Sequence, residues 1–218
     1  MIDHMDMKVY DSTSFVLPLP QTHRFPMDKY RLLSKRVKLE LPEVEVLVAP
    51  AISRTAVEYV HDKKYVADVF DGRLDAQAQR RIGFPWSKGL VERSRRSVGA
   101  TVAASHAALT DGVSVNLAGG THHAHHDFGS GFCVFNDVAI AIDQMKRIGV
   151  KQFAVVDCDV HQGDGTAKLL ENDDQVLTVS LHGAENFPFR KMNSSIDIAL
   201  PRGVTDQPYL SALRKVLD

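Results

Sequence analysis

Five consecutive residues, Asp157-Cys158-Asp159-Val160-His161, carry the most concentrated chemistry in this chain. They close an apolar run, Phe153 to Val156, that reads as a strand. Side chains two apart on a strand point to the same side. Asp157, Asp159 and His161 are therefore aimed one way. Two neighbouring carboxylates are costly to bury unless a cation or hydrogen-bond donors compensate them. A divalent metal meets that need, and mixed oxygen and nitrogen donors suit zinc, with iron or cobalt as alternatives. The competing reading has the acids capping the next helix and the histidine in a turn. On this motif alone both readings stay open.

A second segment, Gly119-Gly120-Thr121-His122-His123-Ala124, follows a predicted strand and precedes a predicted helix. Adjacent histidines can both face a cleft only where the backbone turns sharply, which glycine permits. Imidazoles shuttle protons near neutral pH, and each needs an orienting partner. Asp157 and Asp164 are the carboxylates available for that role. The nearby His125 and His126 are read as solvated loop residues.

These segments need a scaffold. Val44, Val46 and Val48 alternate as a short strand, and Ser53 is placed to cap a helix. A short helix is expected over Tyr65–Phe70, ended by Gly72. Pro85-Trp86-Ser87 precedes a long helix with Val91, Val98, Val102 and Leu109 on one face. Strands are expected at 113–118, 153–160 and 176–181, with an edge strand at 196–200. Helices are expected at 132–148, from Thr166, and at the end, where Leu210, Leu213 and Leu217 share a face. Strands alternating with helices imply right-handed βαβ units and a parallel sheet. A strand as apolar as 153–156 suggests a sheet covered on both faces.

The 218 residues suit one domain. Net charge is −1, so no basic excess points to nucleic acid or a membrane surface. Two cysteines, Cys133 and Cys158, are too few for a disulfide scaffold, and a reducing, cytoplasmic setting is expected. No apolar run is long enough to span a bilayer.

Gly119-Gly-Thr-His-His-Ala, Gly131-Phe-Cys-Val-Phe-Asn-Asp137 and Val156-Asp-Cys-Asp-Val-His-Gln-Gly-Asp-Gly165 together resemble the histone deacetylase superfamily, nearest its bacterial and class IV-like members. The resemblance implies a three-layer α/β/α fold with a mainly parallel sheet, arginase/deacetylase-like and C-terminally incomplete, as a single partial domain over 1–218. It implies zinc-dependent hydrolysis of an acetylated lysine or small acyl-amine, with iron an alternative metal. Asp159 and His161 match two of three metal ligands. His122 and His123 match the tandem catalytic histidines, with Asp157 and Asp164 as their respective partners. Asp157, Asp159, His161, Ser180 and Leu181 match a structural potassium or sodium site. Gly131 and Phe132 match one wall of the substrate tunnel and Phe189 the other. Arg24 matches an arginine of an internal cavity.

The sequence departs from the family pattern at its end. No later aspartate stands in a ligand segment, and Tyr209 lacks the Gly-Gly that precedes the oxyanion tyrosine. Self-association through an incomplete sheet edge is therefore expected. A non-catalytic metal-binding or assembly protein that keeps the fold is the alternative.

Overall fold

The computed structural model describes residues 7–218. The chain opens with β1 (Lys8–Asp11), α1 (Asp28–Glu40) and β2 (Glu45–Val48). Three short helices follow: α2 (Arg54–Glu58), α3 (Lys63–Asp71) and α4 (Ala76–Ile82). The long α5 (Lys88–Asp111) leads into β3 (Ser114–Asn116). Then come α6 (Asp137–Arg147), β4 (Phe153–Asp157), α7 (Asp164–Leu170), β5 (Val176–Gly183), β6 (Ile196–Leu200) and α8 (Asp206–Leu217).

Local chemistry accounts for several of these boundaries. Ser53, Asp62, Asp75, Ser87 and Asn136 each accept a hydrogen bond from the backbone N–H three residues on, satisfying a donor that a helix start leaves free. Gly72 ends α3 in the left-handed conformation, as expected. The helix expected from Phe132 begins instead at Asp137. Phe132 has φ 67°, which no α-helix accommodates, and an isolated bridge between Ser130 and Cys133 turns the chain first. Helices α1 and α4 are not anticipated from sequence. The first buries only Ser34, so it lacks a strong apolar stripe to announce it.

All strand pairs are parallel. They form two three-stranded sheets, ordered β2-β1-β3 and β4-β5-β6, rather than one continuous sheet. Among the described residues β3 and β4 are therefore each paired on one side only. Helix α5 packs against β1 and β3, and against α6. The main core gathers Val57, Val66, Val69, Leu90, Val98, Phe135 and Ile140 from α2, α3, α5 and the 129–141 region. Leu109, expected on the buried face of α5, is exposed.

The second sheet is less covered than its sequence suggests. Ala154 and Val156 are exposed, so β4 is not buried on both faces. Helix α8 buries no residue, and Leu210 and Leu217 stand in the open. No helix among the described residues is long and apolar enough to cross a membrane.

Candidate active site

The site forms where the 119–136 loop meets the carboxyl ends of β4 and β5. His122 Nδ1–H donates to Asp157 Oδ2 at 2.6 Å, and His123 Nδ1–H donates to Asp164 Oδ1 at 2.6 Å. A carboxylate can only accept here, so both contacts place the ring proton on Nδ1. The two imidazoles lie 4.1 Å apart between centroids. Both are buried, at 7% and 4% exposure.

Their environments push them apart electrostatically. Burial draws the pKa of His122 down, but the hydrogen bond and charge of Asp157 outweigh it and leave it raised. For His123 burial dominates, and the charges of His122 and His161 add to it, so its pKa is lowered despite Asp164. Asp164 is held down at about 2: burial opposes its charge, but hydrogen bonds from His123 and His125 prevail.

A second carboxylate shapes the loop itself. Asp137, fully buried at the start of α6, accepts from the backbone N–H of Gly120 and Thr121 and from the hydroxyls of Thr101 and Thr121. This cradle fixes the turn that delivers both histidines. Gly131 (φ 53°) lies flat against His123; a Cβ there would stand 2.6 Å from the ring.

Asp159 and His161 converge beyond the dyads. Asp159 Oδ1 accepts from the His161 backbone N–H at 2.8 Å and lies 2.9 Å from His161 Nδ1. Burial opposes the charge of Asp159, but the His161 contacts and His122 lower its pKa overall. Their side chains are about half exposed. One carboxylate and one imidazole fit part of a zinc site. Among the described residues no group of three His, Cys, Asp or Glu could hold a metal ion. Catalytic zinc takes three protein ligands, so the donor set falls one short. Asp197, a later carboxylate, is occupied by Gln162 and the Ser194 backbone. The Tyr209 hydroxyl donates to the Cys158 carbonyl at 3.5 Å. Asp157 and Ser180 are paired across β4 and β5, with Leu181 next along, so three members of the expected monovalent-cation set adjoin.

Other expected residues are placed differently. Phe189 is 90% exposed, and the aromatic ring against His123 is that of Phe187, at 4.9 Å edge-on. The Phe132 ring packs on Phe25 and Phe84, with the Arg24 guanidinium 5.1 Å above it. The interior chamber bounded by Phe25, Tyr30, Phe84, Thr121 and Phe132 is reached by Arg93, not Arg24. Arg93 is 7% exposed, sits 4.3 Å over the Tyr30 ring, and has an Nη1 without a hydrogen-bond partner. Burial lowers its pKa.

His126 is exposed, as expected, and donates to the Val60 carbonyl. His125 is not a solvated loop residue. It is 6% exposed and its Nε2–H donates to Asp164 Oδ2 at 3.0 Å. Its partner Asp164 lies 39 residues away, so no local spacing announces the contact.

Comparison with known proteins bears on the family and the fold. The model of the histone deacetylase domain matches residues 23–218. An uncharacterized protein of Picosynechococcus sp. is 42% identical over 217 residues, covering 98% of this chain and 72% of that protein. A protein of Archaeoglobus fulgidus named "Probable deacetylase" is 27% identical over 60% of this chain and 40% of its own length. The crystal structure of an HDAC homolog from Aquifex aeolicus superposes with a TM-score of 0.81 at 24% identity, over 97% of this chain and 64% of that one. That likeness establishes the fold, an α/β deacetylase-like architecture. The chain thus spans about two thirds of the Aquifex structure. An HDAC homolog complexed with SAHA gives a TM-score of 0.82.

Proposed function

Because this chain belongs to the histone deacetylase domain family, we propose that it acts in zinc-dependent hydrolysis of acetyl-amide bonds, in acetyl-lysine or an acetylated small amine. The observation that carries this reading is the pair of buried His–Asp dyads beside Asp159 and His161, with the His123 and His161 rings 5.9 Å apart between centroids.

In this reading His123 is the general base. Asp164 holds its proton on Nδ1, and its lowered pKa keeps Nε2 free to take a proton from the attacking water. The same nitrogen then returns a proton to the departing amine. His122, whose pKa is raised, is the ring of the pair that more readily takes up positive charge beside the oxyanion that develops on the acyl carbon. The Phe187 ring stands edge-on to His123 and walls one side of the site. Arg93 suits the small carboxylate product, being a buried cation with a free donor. Asp159 and His161 are two donors of a metal site that the described residues do not complete. A monovalent cation, potassium or sodium, belongs at the β4–β5 ladder. The one-sided β4 edge is the surface through which copies would associate.

A second reading is a metal-binding or assembly protein that keeps the fold without turnover. One experiment separates them. The chain is loaded with zinc or iron, and hydrolysis of a fluorogenic acetyl-lysine peptide is followed beside His123→Ala. Turnover that drops about 100-fold or more in the variant supports the hydrolase. Metal retained on dialysis with no turnover at any loading supports the second reading.

A further inference from the structure

Asp164 is the only carboxylate of the site with an imidazole on each oxygen among the described residues. His123 occupies Oδ1 at 2.6 Å and His125 occupies Oδ2 at 3.0 Å. The terminal torsion of an aspartate is soft and roughly two-fold. One partner alone would leave the carboxylate free to swing; two partners on separate oxygens fix its plane.

His125 is in turn held from three sides. Its ring stacks on Phe128 at 4.4 Å and 19°. Its backbone N–H donates to the Phe128 carbonyl, and its own carbonyl accepts from His61 Nδ1–H at 2.8 Å. His61 Nε2 accepts from the Asn136 N–H at 2.9 Å, which ties the group to the cap of α6. His61 is 1% exposed, and burial draws its pKa down to about 4. It stays neutral near pH 7, with one ring nitrogen donating and the other accepting.

We propose that His125 is a positioning residue. By donating to Asp164 Oδ2 it fixes the carboxylate so that Oδ1 receives the His123 Nδ1–H. The His123 Nε2 is thereby kept as the unprotonated face toward the cleft. This deepens the reading of His123 as general base and rests on it for its catalytic meaning. His125 itself touches neither substrate nor metal.

The test is imidazole nitrogen-15 NMR on the full chain at mildly alkaline pH, which reports which ring nitrogen carries the proton. In the unsubstituted protein His123 is expected as the Nδ1–H tautomer and His125 as the Nε2–H tautomer. His125→Phe keeps the stack on Phe128 but removes the donor. The Nε2–H fraction of His123 should rise about fivefold, the ratio set by one ordinary hydrogen bond. His125→Gln, which returns an N–H toward Asp164, should restore the original pattern. With zinc bound, His125→Phe should lower kcat about tenfold with KM little changed, as for other residues that orient a reacting group. An unchanged His123 tautomer in His125→Phe overturns the proposal. So does an Nδ1–H tautomer for His125 in the unsubstituted protein, a result that needs no variant to fold. A chain without turnover would sink the hydrolase reading alone, because the tautomer pattern still decides the role of His125.

Discussion

The core gathered from α2, α3, α5 and α6 is densely packed, whereas the portion from β4 onward leaves much of its sheet in the open. Phe135, Ile140, Val57 and Val66 are almost wholly buried in the first. In the second, Val156 is 39% and Leu177 45% exposed, and α8 buries nothing. The site straddles this divide. The dense portion supplies His122, His123 and His125; the open portion supplies Asp157, Asp159, His161 and Asp164. Polar contacts cross the seam, including both dyads and the Asn136 amide on the Thr166 hydroxyl, beside a small apolar cluster of Ala139, Ile142, Leu170 and Val176. The site therefore rests on a large core on one side and a much smaller cluster at the seam.

The contrast can be broken most severely in the dense portion. Phe135→Ala should cost about 3–5 kcal/mol, while Leu177→Ala should cost under about 1 kcal/mol, read from urea unfolding midpoints. Equal losses would erase the distinction. At the seam, a Cβ on Gly165 would stand 2.3 Å from the Ala124 carbonyl oxygen and 2.7 Å from that of His122. Both are backbone atoms that cannot swing aside. Gly165→Ala should cost about 1–3 kcal/mol and shift the His122 ring signals, tested by thermal melting and NMR.

Acid should loosen the seam too. Asp164 titrates at about 2 in the fold against an ordinary 3.8. Its folded pKa is depressed, so its stabilisation is complete above about pH 4 and is lost as pH falls through 2. The contribution is about 2 kcal/mol. Unfolding free energies between pH 5 and pH 2 should fall less steeply in Asp164→Asn. The smallest effect lies far from the seam. Asp75 caps α4 through the Ala78 N–H at 2.7 Å. Asp75→Ala should cost about 1 kcal/mol in a urea titration and leave the histidine signals in place. A shift in those signals would mean that the two portions are coupled more widely than their contacts suggest.

Most of the chain order of strands and helices was legible because Val, Ile and Gly punctuate it; β1, α1 and α4 were not. So were the dyads, whose members lie in two short motifs. What sequence could not convey was pairing at a distance. His125 looked like a neighbour of His126, yet one turns inward to Asp164 and the other outward to Val60. Arg93 sits within an ordinary helical stretch, and nothing in its spacing shows that it ends in a chamber. Phe187 and Phe189 are two apart in a loop, where no period decides which ring faces in. The apolar run of β4 suggested two covered faces, but hydropathy reports what a strand tolerates, not what lies over it.

Phe132 is the one described residue other than glycine with a positive φ, at 67°. A backbone in that region costs a side-chain-bearing residue about 1–3 kcal/mol, and glycine almost nothing. Glycine would relieve that cost but forfeit the ring, and the contacts with Phe25, Phe84 and the Arg24 guanidinium mark what would be lost. Position 132 is thus where this chain gives up backbone comfort for the shape of a side chain.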